Sequence, residues 1–253
     1  MNNFTVLMYH EIIKKEDFKE GNNSRLLVGN GYNDILPQPL FVFLHEFEMQ
    51  MKYLYENNYS IITLKDVIDF YYNNKPLKEK SVLITFDDMY KSSFIYAYSI
   101  LKKYNFSAVG FVVLDWIFER AEEYDPLRSV CVSKEELQSM RDVFTYANHT
   151  KTLHKRENGI TDLQKADKDT FIEDIRKCEE FIEEKKVFAY PFGIFKEEIV
   201  DWLQEESFLL GFTTEPGINT REQNPLKLKR NMVALNCNME SFKNILHLTG
   251  VNN

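Results

Sequence analysis

Two places in the sequence set groups able to hold a metal ion and move protons at the end of an apolar run. Ser81-Val82-Leu83-Ile84-Thr85-Phe86 leads directly into Asp87-Asp88. Val143-Phe144-Thr145-Tyr146-Ala147 leads into Asn148-His149, with His154 five residues after His149. Adjacent strand residues face opposite ways, so Asp87 and Asp88 share a site only if the chain bends between them. On a regular helix a five-residue step turns about 500°, roughly 140° out of line, so the two histidines converge only across a loop or irregular turn. One carboxylate with two imidazoles is a three-ligand set for Zn2+ or a similar divalent ion, with a position left for water or substrate. The second carboxylate is then free to act as a base. Each pair also has a plainer reading. One aspartate could cap a helix starting near Lys91, and the histidines could be unrelated surface residues. The coincidence weighs against both: of five histidines in the chain, two follow one apolar run while paired carboxylates follow another.

Two further runs end in notable groups. Val6-Leu7-Met8-Tyr9 ends in His10, which reads as a hydrogen-bonded structural residue or, at the same rim as the metal set, as an acid. Phe188-Ala189 leads into Tyr190-Pro191-Phe192-Gly193, aromatics that line a sugar groove or simply form core and turn. Trp116, in a long segment after a predicted strand, reads as a sugar contact or as core stacking.

Residues at strand ends meet only if the strands lie side by side, and the rest of the chain supports this. Short apolar runs at 4–9, 82–86, 108–113, 143–147 and 187–190 have the composition of buried parallel strands. Amphipathic segments lie between them: Leu44, Phe47, Met51 and Leu54 share one helical face, as do Phe171, Ile175, Cys178 and Ile182. Thr63-Leu64-Lys65-Asp66 and Ser133-Lys134-Glu135-Glu136 carry the spacing of helix N-caps. This alternation predicts an α/β fold with a parallel sheet, whose active groups gather at the C-terminal strand ends. An open sheet that binds nucleotides would need a glycine-rich loop, and the nine glycines form none. The expectation is therefore an irregular (β/α) barrel in one domain spanning 1–253, with long polar loops at about 11–42, 114–132 and 155–168.

Composition narrows the function. The 253 residues include 31 basic and 39 acidic side chains, a formal charge of −8, so no basic stripe is available to grip nucleic acid. With 44% hydrophobic residues the chain can bury a full core. No apolar run reaches the roughly 18 residues of a membrane helix. The first ten residues lack a basic region followed by a long apolar stretch, which leans towards the cytoplasm, with the cell surface or exterior as the alternative if a leader has been removed. Cys131, Cys178 and Cys237 are odd in number and widely spaced, and read as isolated buried thiols. Nothing in the sequence sets an oligomeric state.

Together these motifs resemble the polysaccharide deacetylases with NodB homology, carbohydrate esterase family 4. Thr85-Phe86-Asp87-Asp88 resembles the family's first motif, His149-Thr150 with His154 its metal motif, and Tyr190-Pro191-Phe192-Gly193 the motif that walls its groove. The histidine spacing of five, where four is usual, is similar to the branch acting on poly-β-1,6-N-acetylglucosamine. The arginine usual in the third motif is replaced here by Ala189. In that branch the chain order is circularly permuted and an early Tyr-His element supplies the acid, which Tyr9-His10 matches. His247, in a terminal amphipathic segment from Glu240, reads instead as packing or surface.

The resemblance implies a distorted (β/α) barrel and a hydrolase that removes N-acetyl groups from an acetylated glycan. It implies Asp88, His149 and His154 as metal ligands, Zn2+ foremost with Co2+ or Ni2+ as substitutes. Asp87 is implied as the base and His10 as the acid, and Tyr190, Pro191 and Phe192 join Trp116 as substrate contacts. Two rival functions stay open: a carbohydrate-binding relative without turnover, which the missing arginine favours, and a metal hydrolase of a small amide.

Overall fold

The computed structural model describes residues 3–19 and 24–247. The chain opens with β1 (Asn3–Tyr9), β2 (Glu11–Ile13), β3 (Ser24–Leu27), β4 (Ile35–Leu36) and β5 (Phe41–Phe43). Helix α1 (Leu44–Glu56), β6 (Ser60–Ile61) and α2 (Leu64–Tyr72) lead to β7 (Ser81–Asp87). Then come α3 (Tyr98–Lys103), β8 (Ala108–Val112), β9 (Arg128–Val130), α4 (Lys134–Ser139) and β10 (Phe144–Asn148). The hairpin β11 (Arg156–Glu157) and β12 (Ile160–Thr161) is followed by α5 (Asp162–Lys165), α6 (Lys168–Phe181) and β13 (Val187–Ala189). The remainder is α7 (Glu197–Glu205), β14 (Leu210–Phe212), β15 (Ile218–Thr220), β16 (Asn231–Met232) and α8 (Met239–His247). His247 closes α8, and its side chain lies outside the described residues.

The central sheet runs β14-β13-β10-β8-β7-β1-β15, with β16 also on β1 and β6 also on β7. Its pairings are parallel except β1 with β15. Parallel pairing brings the C-terminal ends of β1, β7, β10 and β13 to one rim, and these ends carry His10, Asp87, His149 and Tyr190. The expected irregular barrel is present as a curled sheet. Among the described residues no pairing joins β14 to β15.

Burial on both faces explains why β1, β7 and β8 read as continuous apolar runs. One face packs with Phe47, Met51 and Leu54 of α1, and the other with Val67 and Phe70 of α2. The caps expected at Thr63 and Ser133 are both reciprocal: each hydroxyl accepts from the third backbone N–H, and Asp66 or Glu136 accepts from the cap's own N–H. The three cysteines are buried and free.

The three expected loops are more ordered than their composition suggests. β3 pairs with β9, which is about a hundred residues away, and with β4. β2 pairs with β5. The third segment contains a hairpin turned at Asn158-Gly159, both at positive φ (52° and 79°), the pair of conformations that favours Asn-Gly. β2 and β3 are stabilised by partners far off in sequence, so local periodicity does not reveal them.

Candidate active site

The bend between the two aspartates is present. Asp88 and Met89 have φ of 66° and 52°, and the Met89 N–H turns back to the Asp87 carbonyl at 2.8 Å. Side chains other than glycine adopt this region reluctantly. Met89 is held there by complete burial against Gly110, where an added Cβ would come within 2.4 Å of the Met89 sulfur. Neither aspartate caps the helical turns that start at Lys91 and lead into α3: the Asp87 oxygens accept from Arg230 and the Asp88 Oδ2 from the Tyr90 hydroxyl. The Asp88 Oδ2 accepts from the Tyr90 hydroxyl at 2.9 Å, while Oδ1 is buried without a hydrogen-bond partner.

The histidines converge through an irregular turn. The Asn148 side chain accepts from the Thr150 N–H at 2.8 Å, and Thr150 takes φ of 76°. The His149 Nδ1 lies 2.8 Å from the Ala189 carbonyl oxygen. A carbonyl only accepts, so Nδ1 carries the proton and Nε2 presents its lone pair. The Nε2 atoms of His149 and His154 lie 3.7 and 3.4 Å from the orphaned Asp88 Oδ1. These separations are too long for hydrogen bonds. They match the roughly 3.3–3.6 Å between ligands of a tetrahedral ion bound at about 2.0–2.2 Å. Burial pushes His149 down to about 4 and His154 down to about 3, so both rings are neutral ligands over the ordinary pH range. Donor type, spacing and the unpaired Oδ1 all fit a divalent cation.

Asp87 has a different partner. The Arg230 guanidinium, fully buried, grips its two oxygens at 2.6 and 2.8 Å and donates a third bond to the Thr213 carbonyl. Burial alone would push the Asp87 carboxyl up; the Arg230 charge, with His149 and His10, reverses this and holds it well below the usual carboxylate range. Asp88 has no such partner and burial pushes it up. The His10 Nε2 lies 3.8 Å from the Asp87 Oδ2. Burial lowers His10, and the Asp87 and Asp88 carboxylates oppose that shift.

Arg230 is the residue that the sequence reading missed. The position of the expected arginine is Ala189, whose carbonyl instead orients His149. The guanidinium arrives from the segment just before β16, 143 residues along the chain from Asp87. Leu228-Lys229-Arg230 resembles a closing segment of the family, but nothing local gives Arg230 a role at the site.

A cavity of about 430 Å³ opens over these groups, walled by Phe192, Trp116, Leu36, Arg156 and Met232 among others. Phe192, at φ of 58°, presents its ring 4.4 Å from that of His154. Trp116 also lines the cavity but is 1% exposed, set between Tyr32 and the His154 ring. Tyr190 and Pro191 do not reach it: Tyr190 is buried, stacks on Phe195 and donates to the Leu226 carbonyl. As the last extended residue after β13, Tyr190 points to the outer side of the sheet, where α7 packs.

A curled α/β sheet with Asp-Asp and His…His at one rim offers a divalent-cation site beside a separately held carboxylate, the donor set a metal-dependent hydrolase needs. Residues 74–208, more than half of the chain, match the family model for polysaccharide deacetylase, and the chain belongs to that family, whose members hydrolyse N-acetyl amide bonds. It is 30% identical over 198 residues to a poly-beta-1,6-N-acetyl-D-glucosamine N-deacetylase of Staphylococcus aureus, covering 75% of this chain and 66% of the relative. The structure of IcaB from Ammonifex degensii superposes with a TM-score of 0.74 at 23% identity, over 99% of this chain and 98% of that one. The Streptococcus pyogenes deacetylase PplD, solved with acetate, gives a TM-score of 0.75 at 21% identity, over 96% and 98%. Among the described residues no helix is long and apolar enough to cross a membrane.

Proposed function

We propose that residues 1–253 form one deacetylase domain that hydrolyses the N-acetyl group of β-1,6-linked N-acetylglucosamine units, with Asp88, His149 and His154 as ligands of Zn2+, replaceable by Co2+ or Ni2+. The observation that carries this reading is the buried, unpaired Asp88 Oδ1 facing two neutral imidazole nitrogens beside a separately held carboxylate. Bound there, the cation would supply Lewis acidity for water activation and for polarising the acetamide carbonyl.

Asp87 accepts the proton of the attacking water, and its bidentate pairing with Arg230 keeps it ionised and aimed. The leaving nitrogen needs a proton, because an amide anion is too poor a leaving group. His10 Nε2, 3.8 Å from Asp87 Oδ2, delivers it, so the proton taken from water ends on the amine. The Phe192 ring and the Trp116 wall hold the sugar over these groups and keep bulk water out. The absent third-motif arginine is one ground for a relative without turnover, the assignment of the acid being the other, and the pairing of Arg230 with Asp87 speaks against the first.

The test is acetate release from β-1,6- and β-1,4-linked N-acetylglucosamine oligomers, with Zn2+ and with a chelator. Chelator-sensitive release, greater on the β-1,6 oligomers, is expected. No release from either glycan by metal-loaded protein would overturn the reading.

A further inference from the structure

We propose that Asp174, a carboxylate outside the cavity, is a positioning residue for the metal site, holding the turn that sets His154 relative to His149. The inference rests on the reading of Asp88, His149 and His154 as metal ligands.

Asp174 sits on α6 at 6% exposure, on the same face as Phe171, Ile175 and Cys178. Its carboxylate takes three donors from the segment between the histidines. The Lys151 N–H reaches Oδ1 at 2.7 Å, and the Thr152 N–H and hydroxyl reach Oδ2 at 2.8 and 2.5 Å. The Ile175 carbonyl, one residue on, accepts from Asn148, whose own oxygen holds the Thr150 N–H. One turn of α6 therefore grips the segment both before and after His149. From the opposite side the Leu114 and Asp115 N–H groups donate to the Thr150 and Lys151 carbonyls, and Lys151 Nζ pairs with Asp115 at 2.9 Å.

The two histidines differ in what orients them. His149 is fixed by its bond to the Ala189 carbonyl. The His154 Nδ1 is buried and makes no hydrogen bond to another residue, so no neighbouring group sets that ring as Ala189 sets His149. Metal-bound histidines ordinarily rely on such a bond, and its loss weakens metal binding about 10–100-fold. Here the backbone of the turn takes over that role, helped by the Trp116 and Phe192 rings at 4.6 and 4.4 Å. Three donors converge on Asp174, and a carboxylate has the acceptor capacity to satisfy them all. An asparagine would turn an NH2 towards one backbone N–H.

The experiment measures Zn2+ affinity by chelator competition, together with the absorption spectrum of the Co2+-loaded protein. Its variants are Asp174→Asn, Asp174→Ala and Thr152→Val. Phe242→Leu, in the distant packing of α8, serves as a destabilised control. Both Asp174 variants are expected to bind Zn2+ about 10–100-fold more weakly, with an altered Co2+ spectrum and turnover restored by excess metal. Thr152→Val should shift affinity in the same direction by less. If Asp174→Ala does not fold, Asp174→Asn and Thr152→Val carry the test. Parent-like affinity in the Asp174 variants, or an equal loss in a Phe242→Leu protein of matched melting temperature, would overturn the proposal. If the parent itself binds no Zn2+, or Asp88→Asn binds it as tightly as the parent, the ligand set is wrong and the inference falls with it.

Discussion

Replacing Arg230 by methionine tests the pairing that the base depends on. The guanidinium is wholly buried, gives Asp87 two charge-assisted hydrogen bonds, and packs 5.3 Å over the Phe111 ring. Methionine fills much of the same space without charge, leaving Asp87 buried with His10 and His149 no nearer than 3.8 and 4.0 Å. Removing one partner of a buried pair costs about 3–5 kcal/mol, a large part of the roughly 5–15 kcal/mol that holds a domain folded. The sign with pH follows from Asp87 being depressed in the folded state. The pair's contribution is present above the unfolded carboxylate pKa of about 4 and is lost as pH falls below it. The stability penalty of Arg230→Met should therefore be full at pH 7 and shrink below about pH 4. Denaturant unfolding with a chelator present, so that bound cation does not mask the charge, measures this directly. Turnover should fall and its acid limb move to higher pH, since Asp87 then resists ionisation. Arg230→Lys keeps the charge but not the two-pronged geometry and should fall between. An Arg230→Met protein with parental stability and turnover at pH 7 would refute the reasoning.

Other expectations separate the remaining roles. Asp88→Asn or His149→Ala should lose metal and turnover together, while Asp87→Asn keeps metal and loses turnover; metal content and acetate release decide both. Gly110→Ala should destabilise by about 1–3 kcal/mol, because the new Cβ would meet the Met89 sulfur at 2.4 Å and the Tyr146 ring at 2.9 Å; thermal unfolding reads this. Glu11 is pushed up to about 8 by burial, against hydrogen bonds from Ser92 and Ser129. Its folded pKa lies above the unfolded one, so its contribution is present below about pH 4.3 and is lost as pH rises towards 8. Glu11→Gln should flatten that decline, gaining melting temperature over the parent at pH 8 relative to pH 5. Equal differences at both pH values would remove this assignment.

The readable part of this protein was local. Strands buried on both faces must be continuous apolar runs, so β1, β7, β8, β10 and β13 show themselves in the sequence. The caps at Thr63 and Ser133 show because their bonds span three residues. Asp87-Asp88 and His149…His154 stood out because each ends such a run, and parallel pairing then carries those ends to one rim whatever the loops do. The Asn158-Gly159 hairpin was equally local and its turn signal was there to be read.

What the tertiary structure decided depends on contacts distant in sequence or on the direction a side chain takes at a turn. The β3–β9 pairing inside two apparent loops is of the first kind. So is Arg230, which reaches Asp87 across 143 residues and supplies the charge that Ala189 cannot. Tyr190 is of the second kind: its motif placed it at the site, yet its position after β13 turns it into the core. Residue types and spacing determined which groups can bind a cation and move a proton. Only folding decided which of them are unpaired, which are neutral and which are held, because burial and charge at a point in space depend on every segment packed there.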